Sequence, residues 1–137
     1  MELPQLDKSN YLKGLLIVAK KDKQLTEQEK KILKSIADKL GFAKDFSEDT
    51  IRNLLSNKYI NETPIKFSDR KIAESFISDG LKLAFADNMV SDIEISWLLS
   101  TAIENDLNSD WFNHKMKKIK ESSANQLNSE FALLSII

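Results

Sequence analysis

The stretch Asp22-Lys23-Gln24-Leu25-Thr26-Glu27-Gln28-Glu29 recurs sixty-five residues later as Asp87-Asn88-Met89-Val90-Ser91-Asp92-Ile93-Glu94. In each copy a hydroxyl residue stands three positions before a glutamate, the signature of a capping box in which both side chains satisfy orphan N–H groups at a helix start. The correspondence continues on both sides: the same offset brings Leu16 onto Leu81, Ala19 onto Ala84, Leu33 onto Leu98, Ser35 onto Ser100 and Ala37 onto Ala102. Each copy therefore reads as helix, short acidic turn, helix. The chain is expected to be an all-α bundle built from two quasi-equivalent helical copies, which cover about 9–55 and 68–126 and precede an apolar segment at 127–137. Packing the halves face to face would gather the carboxylates of both turns in one place.

Composition agrees with this class. Only three Gly and two Pro interrupt 137 residues rich in Leu, Lys, Glu, Ala and Ile, as an all-helical chain requires. The length suits one domain, spanning 1–137, able to bury roughly two thirds of its unfolded surface. Without cysteine there is no disulfide frame, thiolate zinc site or cysteine nucleophile. The first residues lack a basic leader, and the apolar run from Leu15 to Ala19 is too short for a signal or a membrane span. A cytoplasmic location without membrane insertion is the expectation. The net charge of −1 conceals a division, because residues 1–66 carry 13 basic and 10 acidic side chains whereas 67–137 carry 7 and 11. No Lys or Arg falls between Lys82 and Lys115, a stretch that holds six acids, so a nucleic-acid face is excluded as an expectation.

Helical spacing of Leu12, Leu15, Leu16 and Ala19 predicts a first helix from near Asp7 or Ser9 to about Lys21, with one apolar stripe. A second follows Thr26 and ends at Leu40, where Gly41 can supply the left-handed residue of a C-terminal cap. Ser47 or Asp49 is placed to cap a third helix through Leu55, and 56–67 reads as the connection between copies. In the second copy, Ser68 is the expected cap of a central helix carrying Ile72, Phe76, Ile77 and Leu81. The helix after Ser91 has Ile93, Ile95, Trp97, Leu98, Leu99, Ala102 and Ile103 nearly all around it, as a buried helix would. A further helix from Ser109 or Asp110 sets Phe112, Met116 and Ile119 inward and Lys115, Lys117, Lys118 and Lys120 outward. The segment Leu127 to Ile137 either packs back on the core or serves an interface.

Capping accounts for Thr26, Ser91, Glu29 and Glu94, and first-turn electrostatics for Glu27 and Asp92. Asp22 and Asp87 are different. They follow the C-terminal ends of helices, where the macrodipole disfavours a carboxylate by about 0.3–1 kcal/mol. An Asx-turn explains each singly; repetition at both sites suits an oxygen-lined turn for a hard divalent cation. An EF-hand is excluded, since the twelfth position holds Leu33 or Leu98 and the sixth has no Gly.

The pattern Leu-x-x-Ala-x-x-Asp-x-x-apolar-[Ser/Thr]-x-x-Glu, present twice, resembles the tellurite-resistance TerB family from about Tyr11 to about Leu127. The resemblance implies about seven helices and a divalent metal ion held where the copies meet, by Asp22 and Glu29 of the first copy and Asp87 and Glu94 of the second. All-oxygen ligands favour Ca²⁺, Mg²⁺ or Mn²⁺. Family members often have Gly after the motif Asp, where this chain has Lys23 and Asn88. Lys20, Lys21 and Lys23 crowd the first site, which leaves the second as the stronger. The implied role is sensing or scaffolding in a stress-response system, without catalysis and in contact with another protein.

Nothing else in the chain outweighs this. His114 is the only histidine and has no Cys or second His to share a metal. Nucleophile elbows, phosphate loops and zinc-protease helices are absent from the sequence, so no enzyme is expected. The competing reading is a metal-free protein interaction module that uses the acidic stretch from Asp87 to Asp110 or the apolar C-terminal segment.

Overall fold

The computed structural model describes residues 3–21, 27–56, 62–85, 92–123 and 132–136. Among these residues there are six α-helices and no strand: α1 (Gln5–Lys21), α2 (Glu27–Lys39), α3 (Lys44–Ser56), α4 (Arg70–Ala84), α5 (Asp92–Glu104) and α6 (Ser109–Ser123), followed by a 3₁₀ turn, Ala132–Ser135. The all-α class holds, and the described residues carry one α-helix fewer than the expected seven.

The offset of the sequence recurs in the helix starts. Helices α4, α5 and α6 each start sixty-five residues after α1, α2 and α3. Both second helices end in the same hydrogen-bonded turn. Phe42 N–H bonds the Ala37 carbonyl at 3.0 Å and Gly41 N–H bonds Asp38, while Leu107 N–H bonds Ala102 at 2.9 Å and Asp106 N–H bonds Ile103. Gly41 and Asp106 are the left-handed residues, with φ of 90° and 63°. Gly41 thus acts as expected, and an Asp does the same work in the second copy because a short polar side chain tolerates this region.

Each copy is a three-helix unit whose members all touch, and α1 against α4 is the most extensive contact between copies. Both are surrounded. Every residue of α1 from Tyr11 to Ala19 is buried except Lys13, where a single apolar stripe was expected, because α4 covers one flank while α2, α3 and α5 cover others. Close approach needs Gly14: a β-carbon there would lie 2.5 Å from Cε1 of Phe76. Tyr11, Phe67, Phe76 and Trp97 form an aromatic cluster across this seam, with Tyr11 edge-on to Phe76 at 5.5 Å between ring centres. Tyr11 and Phe76 are equivalent positions in the two copies and meet edge to face.

Four expectations about boundaries and burial are corrected. α1 begins at Gln5, since Lys8 N–H already bonds the Pro4 carbonyl, and Asp7 is turned inward. Ser68 does not cap α4. Its N–H and hydroxyl both donate to Asp7, while Asp69 is the cap and accepts from Lys71 N–H at 2.7 Å. α3 begins at Lys44, ahead of Ser47 and Asp49; Phe42 stacks on Phe46 at 5.4 Å and clasps the entry with an apolar contact. α5 is not enclosed, for Ile93 and Ile103 are 61% and 56% exposed.

The connection between copies is fastened by the second one. Asn105 accepts from Phe67 N–H at 2.8 Å and donates to the Ile65 and Thr101 carbonyls, and the Trp97 indole N–H donates to the Glu62 carbonyl at 2.7 Å. At the other end of the chain, Leu133 is fully buried and the 3₁₀ turn packs on α4, so this part of the C-terminal segment returns to the core. Residues 127–131 lie outside the described ones.

Candidate functional site

Two of the four expected metal ligands are described. Glu29 and Glu94 occupy the third position of α2 and α5, each helix starting where Thr26 and Ser91 were expected to cap it, and each side chain is only 1% exposed. Asp22, Asp87, Thr26 and Ser91 lie outside the described residues. A capping glutamate at a surface helix start does not require burial. Enclosing a carboxylate is unfavourable unless charge or hydrogen bonds compensate it; Glu29 and Glu94 each have a partner within the chain, and the enclosure is repeated at two equivalent places. Hard oxygen donors in buried first turns suit a divalent ion of the Ca²⁺, Mg²⁺ or Mn²⁺ type. Among the described residues alone, no three potential ligands gather.

Helices α1 and α4 meet across the seam between the copies. Asp7 on α1 holds Ser68 just ahead of α4, and Tyr11, one turn further along, meets Ser75, Phe76 and Asp79. Gly14, further along α1, faces Phe76 and Ile65. α2 and α5 both pack on α1.

A second polar centre was not foreseen. Asp79, fully buried in the middle of α4, accepts from the Tyr11 hydroxyl at 2.5 Å, from Ala132 N–H at 2.7 Å and from Leu133 N–H at 3.1 Å. With the phenolic proton engaged, Ser75 is left to donate to the Tyr11 oxygen at 2.9 Å. Burial pushes the Asp79 carboxyl above the usual carboxylate range, against the opposing pull of Tyr11, the two amides and Lys82. Burial, then the adjacent Asp79 charge, pushes the Tyr11 hydroxyl well above its ordinary value. All three bonds to Asp79 come from the chain itself, two of them from the terminal turn, and so the carboxylate clamps that turn to α4. The available signal was an acid between Ile77 and Leu81 on an apolar helix face.

The remaining candidates sit where a solvated surface puts them. His114 is exposed on α6; Phe112 and Ile119 are buried beneath it, and Lys115 lies over the Trp111 ring at 5.7 Å. No described helix is long and apolar enough to cross a membrane. Compared with protein families, with curated proteins and with solved structures, the chain matches none.

Proposed function

We propose that this chain is a non-catalytic helical module that binds a divalent cation through Asp22, Glu29, Asp87 and Glu94, with a sensing or scaffolding role in a cytoplasmic stress response of the tellurite-resistance TerB type. The observation that carries the reading is the equal, near-complete burial of Glu29 and Glu94 at equivalent first-turn positions. Carboxylates gathered in one place repel one another, and a bound cation supplies the neutralising charge. Occupancy would then stabilise the arrangement of the two copies, and with it the surface offered to a partner protein.

Thermal unfolding tests this directly. With Mg²⁺, Ca²⁺ or Mn²⁺ at a hundred times its dissociation constant, linkage adds about 2.7 kcal/mol over the EDTA-treated protein, a rise of roughly 10 °C for a chain of this size. In Asp87→Asn the rise is expected to shrink. Superimposable curves in EDTA and in every ion would remove the proposal and leave the capping boxes as the whole explanation of the acids.

A metal-free interaction module is the second reading, favoured by the placement of Glu29 and Glu94 at the position a capping box assigns. With Leu133 buried, such a module would rely on the acidic surface of the second copy.

A further inference from the structure

α2 and α5 occupy the same place in the two copies, yet their outward faces differ in kind. Along α2 the outer ridge is Lys30, Lys34 and Asp38, with Lys30 paired to Glu27 at 3.3 Å and Lys34 to Glu48 at 3.9 Å, an ordinary solvated surface. The equivalent ridge of α5 is Ile95, Leu99 and Ile103, four residues apart and therefore in one row. Ile95 and Leu99 are partly buried and lean on the core, Ile103 is 56% exposed, and Ile93 is 61% exposed on the far side of the exposed Ser96 and Ser100, which keep the surface between them low. The first copy builds the same helix with Lys30, Lys34 and Asp38 at those positions, so the apolar character of the row belongs to the second copy alone.

The surroundings select the occupant. Asp92, Glu104, Asp106 and Asp110 are all exposed around this helix and its exit, and no Lys or Arg occurs between Lys82 and Lys115 to offset them. We infer that the outer face of α5 is a docking surface for a basic amphipathic helix of a partner protein. The partner's apolar stripe lies along Ile95, Leu99 and Ile103, and its flanking Lys or Arg residues meet the acidic rim. This is the helix-on-helix mode in which an apolar row gives affinity and the charged edge sets orientation and partner choice.

A fluorescently labelled synthetic helix with a leucine stripe flanked by lysines is the probe, titrated by anisotropy against the whole chain in EDTA and again with Mg²⁺, so that loss of the cation reading would not disturb the result. The double variant I93Q/I103D installs the first copy's own residues, Gln28 and Asp38, at largely exposed positions and is expected to fold with an unchanged circular dichroism spectrum. It should weaken the probe at least tenfold. D92N/E104Q should weaken it and flatten the salt dependence. A probe with glutamates in place of the lysines should not bind. Equal affinity for the double variant, or binding of the acidic probe, would overturn the proposal. So would a chain that sediments as a dimer lost in I93Q/I103D, which would give the face to a second copy.

Discussion

Gly41 and Asp106 hold the same left-handed backbone at the ends of α2 and α5, one without a side chain and one with it. A β-carbon at Gly41 would meet nothing within 4 Å, so Gly41→Ala isolates the backbone term. It is expected to destabilise by about 1 kcal/mol. Asp106→Gly should go the other way by several tenths of a kcal/mol, the greater freedom of Gly in the unfolded chain offsetting part of the gain. Denaturant midpoints of the two variants should therefore move in opposite directions; movement in the same direction would show that Asp106 has a role beyond its φ. Asp79 makes a different kind of statement. Its carboxyl binds a proton more tightly when folded than the ordinary carboxylate of the unfolded chain does, so stability falls as pH rises from about 4 until the folded group has ionised. Asp79→Asn lacks that slope. The stability of the native protein minus that of the variant, from denaturation at successive pH values, is expected to decline with rising pH; a difference that increases would contradict a raised carboxyl.

At the scale of elements, the 3₁₀ turn shows how a short piece is kept in place by packing and hydrogen bonds together. Leu133 fills a site on α4 with no exposure while its own amide and that of Ala132 donate to Asp79. Leu133→Ala is expected to lower global stability by about 2–5 kcal/mol, and hydrogen exchange should find the two amides less protected; an unchanged unfolding midpoint would mean the turn contributes little. Nothing local announces this clamp, because the Tyr11 partner of Asp79 is sixty-eight residues away and the Ala132 partner fifty-three. Where a signal is local, the sequence is readable. The starts of α2 and α5 follow from a hydroxyl three residues before a glutamate, and the end of α2 follows from Gly41. The start of α3 was missed since an aromatic stack, Phe42 on Phe46, fixes its entry. The burial of α5 was overestimated because apolar residues all around a helix do not distinguish those that are packed from those that are presented. Of the candidate site, sequence located Glu29 and Glu94 through the capping pattern but carried no sign of how deeply both are enclosed.

Whether the two copies behave as one body is a question for the whole molecule. The aromatic seam, the close approach at Gly14 and the hold of Asp7 on Ser68 all cross from one copy to the other. Neither α1 nor α4 keeps a face for solvent sufficient to stand without its counterpart, since Tyr11 to Ala19 and Ile72 to Leu83 are buried almost throughout. A shared core of this kind makes unfolding all-or-none. Both tryptophans belong to the second copy, Trp97 on α5 and Trp111 on α6, whereas helical circular dichroism reports on both copies. Tryptophan fluorescence and circular dichroism are thus expected to give one coincident midpoint. Gly14→Ala, placed entirely in the first copy, presses on Phe76 across the seam and is expected to lower stability by about 1–3 kcal/mol through overpacking. It should move the fluorescence midpoint as far as the dichroism midpoint, although no tryptophan lies in the copy that carries the change. Separate transitions, or a fluorescence midpoint indifferent to Gly14→Ala, would mean that the halves unfold independently and that occupancy of one acidic turn could not be felt by the other.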